Sequence, residues 1–178
     1  CLVTAIVERG IFDPGIDEED SKITLDTPAG LVSTSFKAND GVVQEVSIIN
    51  VPSYSIFSGE ISTKEWGQVS VEVAYGGNYF LIVEIDEINS EIDPDNLLSL
   101  KEAAYKLLQR SNKELDLIDP VNGDDIMLTW VEFYNESATP AQNVVIGAHA
   151  GSNEFGELKR CDKVDRSPCG TGLSAKMA

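Results

Sequence analysis

The chain has 178 residues, enough for one sizeable core or parts of two, and its 42% hydrophobic and 24% charged residues are usual for a globular protein. Thirteen Lys and Arg against thirty Asp and Glu leave a formal net charge of −17, which repels nucleic acid and anionic membranes and argues against both as partners. No apolar run approaches the length of a membrane span, and three cysteines without framework spacing argue against a disulfide scaffold. Free thiols and the lack of a visible secretory signal point to the cytoplasm. The acidic cluster Asp17-Glu18-Glu19-Asp20 reads as solvated surface, because its spacing does not match a calcium loop. A zinc site is not expected either: Cys-x-x-Cys is missing and His149 is the sole histidine, read as a loop or packing residue after a strand.

In chain order, strand signals come first, near residues 22–25, 30–37, 42–50, 69–75 and 78–85. Asn39-Asp40-Gly41 predicts one hairpin connection and Gly76-Gly77 another. Asp93-Pro94-Asp95 then supplies an N-cap and a proline at the first helical position. Leu97, Leu100, Ala104, Leu107 and Leu108 recur at helical spacing to about residue 115. This stripe reads as core. A polar connection at 118–125 suggests a boundary, giving an expected division into 1–117 and 118–178, and strands resume at 127–134 and 143–148.

The most informative stretch closes the chain. In Asp165-Arg166-Ser167-Pro168-Cys169-Gly170-Thr171-Gly172, Pro168 precedes the thiol, two glycines follow it, and good helix formers come next. A tight loop feeding a helix N-terminus is expected, where unpaired N–H groups lower a thiol's pKa and hold a small carboxylate. A disulfide between Cys161 and Cys169 would consume that thiol.

Asp-Arg-Ser-Pro-Cys-Gly-Thr-Gly-x-Ser-Ala-Lys resembles the second catalytic motif of the proline racemase family, which includes 4-hydroxyproline 2-epimerases and 3-hydroxyproline dehydratases. Val73-Ala74-Tyr75-Gly76-Gly77-Asn78-Tyr79-Phe80 is similar to the family's Tyr-Gly-Gly-Asn-aromatic segment. Leu25-Asp26-Thr27-Pro28-Ala29-Gly30, Val131-Glu132-Phe133-Tyr134 and Asn143-Val144-Val145 fall in the family's order. Leu173 departs from the threonine common in the motif, a difference that touches only local helix packing. Leu2 to Gly10 resembles the helix just after the family's first catalytic cysteine, so Cys1 is read as a packing residue. By the same resemblance the chain looks like an internal piece, with most of a first lobe and the start of a second.

The resemblance implies an α/β fold of two pseudo-symmetric lobes, each a curled mixed sheet around a central helix, with an active site in the interlobe cleft, as in diaminopimelate epimerase. It implies a cofactor-independent racemase or epimerase that inverts Cα of proline or 4-hydroxyproline with two cysteines as acid and base. Cys169 is then one of the two thiols, and the other lies outside the chain. Gly170 and Thr171 offer backbone N–H groups to the substrate carboxylate, Asp165 lies near the ring nitrogen, and Arg166 and Ser167 brace the loop. Gly76-Gly77 is either a plain turn or a border of the cleft, and Tyr79-Phe80 is slightly reminiscent of aromatic pairs in epimerases. Cysteine at 169 favours inversion over the dehydratase branch, which typically carries threonine there. The partner expected is a small imino acid, a homodimer is compatible with it, and neither metal nor cofactor is called for. The alternatives are a 3-hydroxyproline dehydratase-type lyase, another two-thiol isomerase of the same architecture, and a non-catalytic binder.

Overall fold

The computed structural model describes residues 2–12, 21–150 and 158–178. Cys1 and the acidic cluster at 17–20 lie outside the described residues. The chain divides into two compact units, Cys1–Val51 and Pro52–Ala178.

In the first unit, helix α1 (Leu2–Glu8) buries Val3 and Val7, which its turn places on one face. It packs on an antiparallel sheet of β1 (Ser21–Thr27), β2 (Gly30–Asn39) and β3 (Val42–Ile49). Phe36 anchors this small core, with Ile23, Leu25, Val43 and Val46 against it. The β2–β3 connection is a two-residue turn, Asn39 pairing with Val42 across Asp40 and Gly41. Asp40 and Gly41 have φ of 50° and 75°, the doubly left-handed turn that matches strand twist.

The second unit is one six-stranded sheet in the order β4 (Tyr54–Thr63), β5 (Gly67–Tyr75), β6 (Tyr79–Glu84), β7 (Trp130–Asn135), β8 (Gln142–Ala150) and β9 (Leu158–Val164). Its β6–β7 pair is parallel, Leu81 opposite Val131 and Val83 opposite Phe133. Parallel neighbours need a long crossover, and helix α2 (Leu97–Glu114) supplies it. Asp93 caps its entry, its side chain accepting from the Asp95 N–H at 2.8 Å, with Pro94 opening a 3₁₀ turn that leads into the helix. Leu100, Ala104, Leu107 and Leu108 are fully buried against Val69, Val71, Leu81, Val131 and Phe133. Each such leucine contributes about 1.5–3 kcal/mol.

Residues 117 and 118 lie within this second unit, and the strands on either side of them, β6 and β7, hydrogen-bond to each other. The connection is pinned to the sheet. Asp119 accepts from the Tyr54 hydroxyl at 3.1 Å, from the Tyr79 hydroxyl, and from the Val121 N–H at 2.8 Å. These carboxylate contacts, with burial as the larger cause, push Tyr54 up to about 12 and raise Tyr79 as well. Strand β7 starts at Trp130, later than expected, because the Asn112 side chain takes both polar groups of Leu128, each at 2.8 Å. His149 is in β8 with its backbone opposite Arg160, where a loop was expected, and its side chain lies outside the described residues.

Candidate active site

Helix α3 (Gly170–Lys176) lies on the sheet face opposite α2, where Ala175 packs with Ala74, Phe80, Ile82 and Val145. Two glycines permit this approach. A Cβ at Gly76 would meet the Thr171 carbonyl oxygen at 2.3 Å and the Ala175 nitrogen at 2.4 Å. One at Gly172 would meet Glu132 Oε2 at 2.4 Å and Val145 at 3.2 Å. The Gly76 contact is with helix backbone, which cannot move aside, whereas at Gly172 the helix backbone lies against side chains of the sheet. Gly77, with φ of 107°, makes the turn itself.

Cys169 is the residue before α3, part-buried, with φ of 56° and ψ of 95°. Non-glycine residues reach such angles only where their surroundings hold them. The preceding peptide is held at both ends. Its N–H, on Cys169, donates to Ser167 Oγ at 3.2 Å, and its carbonyl, on Pro168, accepts from Asn143 Nδ2 at 3.0 Å. Asp165 Oδ1 in turn accepts from the Ser167 N–H at 3.0 Å and the Ser167 hydroxyl at 2.9 Å. Ser167 is therefore a brace of the turn. The Ser167 N–H holds the Asp165 carboxyl below the usual carboxylate range, with a smaller contribution from the Ser167 hydroxyl.

The thiol departs from expectation in its acidity. Burial raises the Cys169 pKa above its ordinary value, while the Thr171 hydroxyl, 3.5 Å from the sulfur, and the Gly172 N–H draw it down, and Asp165 raises it again. The net direction is upward. Removal from water and a neighbouring carboxylate outweigh the donors at the start of the helix. In the first turn of α3, the Gly170 and Thr171 N–H groups have no partner four residues earlier within the helix. A Cβ at Gly170 would meet nothing within 4 Å, so this corner of the turn is open.

Cys161 is free, buried against the α2 face, and pushed by burial up to about 11. Cys169 is also free and packs on the other face, so the sheet separates the two thiols. Tyr79 and Phe80 are engaged in structure, Tyr79 with Asp119 and Phe80 in the core beside Trp130. Among the described residues no cluster of His, Cys, Asp or Glu is arranged to hold a metal ion, and no helix is long and apolar enough to cross a membrane.

Sequence reasoning passed over Glu132. On β7 between Val131 and Phe133, it is 0% exposed, with one oxygen accepting from Asn143 Nδ2 at 3.1 Å. Burial raises its pKa, against smaller lowering by Asn143 and Lys176. In sequence it reads as the wet-face residue of a strand, and only the packing of α3 on that face makes it a buried acid that needs a partner.

The family model described as proline racemase matches residues 1–178. Proline racemase A of Trypanosoma cruzi (strain CL Brener) is 37% identical over 185 residues, covering 99% of this chain and 41% of that protein. A 4-hydroxyproline epimerase of Brucella ovis is 34% identical over 177 residues, covering 99% and 50%. The crystal structure of a hydroxyproline epimerase from Agrobacterium vitis with bound trans-4-OH-L-proline is similar with a TM-score of 0.81 and 28% identity, over 99% of this chain and 48% of that one. This chain spans about half the length of the curated relatives it matches. The likeness bears out the fold class expected from the sequence. With a match from its first residue to its last, the chain belongs to the proline racemase family.

Proposed function

We propose that the complete gene product containing this chain is an isomerase that inverts Cα of proline or 4-hydroxyproline without a cofactor, using two cysteines as acid and base, with Cys169 as one of them. The observation that carries this reading is the free, part-buried Cys169 thiol held at an unusual backbone angle at the start of α3, within the family's motif. Relatives named proline racemase and 4-hydroxyproline epimerase support the substrate class.

Removing Cα–H from an amino acid leaves an unstable carbanion, so a base is needed on one face, an acid on the other, and donors at the carboxylate. A thiolate takes the proton from one face while the opposite thiol delivers one to the other, and the two exchange protonation states at each inversion. A raised pKa suits Cys169 to the donor role in one direction. The Gly170 and Thr171 N–H groups are assigned to the substrate carboxylate. Asp165 Oδ2 is assigned to the secondary ammonium as a charge-assisted partner, Oδ1 being taken by Ser167. Cys161 does not qualify as the second thiol, since it is buried on the opposite side of the sheet. That thiol comes from outside the described residues.

Polarimetry of the complete protein with L-proline and with trans-4-hydroxy-L-proline tests the reading. Loss of optical rotation toward the racemate or the epimer mixture with either substrate is expected. A static signal with both would overturn it.

A further inference from the structure

Glu132 and Asn143 form a second support of the Cys169 turn, independent of the Asp165–Ser167 brace. One amide nitrogen, Asn143 Nδ2, donates both to Glu132 Oε1 at 3.1 Å and to the Pro168 carbonyl at 3.0 Å. Its two hydrogens thus link a wholly buried acid on β7 to the peptide that ends in the Cys169 nitrogen. The other acid oxygen, Oε2, has no hydrogen-bond partner among the described residues. It lies against Gly172, where an added Cβ would touch both it and, at 3.4 Å, the Cys169 sulfur. A buried carboxyl with one orphan oxygen is costly, and a packed apolar residue would serve stability as well or better. Its placement beneath the thiol-bearing turn gives it a use.

We propose that Glu132, acting through Asn143, is a positioning residue for Cys169: it fixes the Pro168–Cys169 peptide from the sheet side and so holds the thiol at its left-handed backbone angle. The proposal builds on the reading of Cys169 as an acid/base thiol, but the clamp is a property of the turn and is measurable without substrate. The titratable and charged groups around the turn are Asp165 and Arg166 on its own loop, Glu132 reaching Gly172 from β7, and Lys176 of α3, whose charge acts on Glu132 and which also pairs with Glu136. With the clamp cut, the peptide relaxes, water reaches the sulfur, and the desolvation that raises the Cys169 pKa is lost.

The test uses the complete protein and its Asn143→Ala, Glu132→Leu and Glu132→Gln variants. Cys169 alkylation by iodoacetamide is followed against pH, alongside thermal midpoints and the kcat and KM of imino-acid inversion. In Asn143→Ala and Glu132→Leu the alkylation midpoint is expected to fall toward that of an ordinary thiol. The inversion kcat is expected to drop by about a hundredfold, the cost of a misplaced reacting group, with KM much less affected. Glu132→Gln keeps an acceptor for Asn143 and is expected to restore the alkylation midpoint that Glu132→Leu loses. An unchanged midpoint in both Asn143→Ala and Glu132→Leu, with thermal midpoints retained, would overturn the clamp. If Glu132→Leu does not fold, Asn143→Ala decides alone. Wild-type protein that inverts neither imino acid while the midpoints still shift would leave the clamp standing and defeat only the proposed activity.

Discussion

At the scale of single residues, the turn around Cys169 is built from polar groups that each hold another. Asp165 holds Ser167, Ser167 holds the Cys169 N–H, and Asn143 holds the Pro168 carbonyl from Glu132. Glu132 makes a pH prediction with a definite sign. Its folded-state pKa is raised, so its contribution to stability is complete below the unfolded carboxyl range and is lost as pH rises through the folded value. Glutamine cannot ionise. The melting temperature of Glu132→Gln relative to wild type is therefore expected to improve between about pH 5 and about pH 8; a constant difference across that range would contradict a raised value. Gly170→Ala separates site from fold. The added methyl meets nothing within 4 Å, so stability should stay within about 0.5 kcal/mol while inversion of the imino acid falls, because the methyl enters the corner assigned to the substrate carboxylate. Unfolding at wild-type denaturant midpoint with undiminished turnover would remove Gly170 from the site.

At the scale of elements, α3 owes its position to Gly76 as much as to its own sequence. Alanine there would drive a Cβ into backbone atoms of Thr171 and Ala175, which cannot swing aside as a flexible side chain would. A loss of about 2–4 kcal/mol and a displaced Cys169 turn are expected for Gly76→Ala, read from urea midpoints and from the rate of Cys169 alkylation. Wild-type values for both would mean that α3 does not rest on the β5–β6 turn. These elements also mark what could be read in advance. Helix α2 was legible from its leucine spacing and its Asp-Pro entry, and the hairpins from Asp40-Gly41 and Gly76-Gly77. Strands β4 and β9 were not. Both are edge strands, and Ser-Gly-Glu in one and Lys-Arg-Cys-Asp-Lys in the other carry the polar and charged residues that guard an exposed edge, which erases the apolar alternation. The thiol turn was legible because proline, cysteine and glycine crowd into it. Glu132 was not, because Trp-Val-Glu-Phe-Tyr looks like a strand with one wet face until α3 is known to cover that face.

At the scale of the whole molecule, net charge is the dominant electrostatic feature. A formal −17 across 178 residues is self-repelling in the compact state. Salt screens that repulsion within about 10 Å at 0.1 M, so the melting temperature is expected to rise as sodium chloride is raised from low ionic strength, by a similar amount in wild type and in Cys169→Ser. A flat or falling midpoint would mean that local ion pairs, such as Lys106 with Glu65 and Arg110 with Glu114, outweigh the net repulsion. The parallel β6–β7 pair is the other feature of this scale, and no local pattern announces it. It joins strands separated by the whole of α2 and the Asp119 connection.

The central claim is that Cys169 moves the Cα proton of an imino acid. Its most direct measurement is exchange of Cα–H for deuterium, followed by NMR in D₂O with L-proline and trans-4-hydroxy-L-proline, in the complete protein and its Cys169→Ser variant. Exchange with at least one substrate in wild type, reduced at least a thousandfold in the variant as expected when an acid/base group is removed, is the predicted result. Exchange that persists in Cys169→Ser at the wild-type rate would contradict the assignment of this thiol.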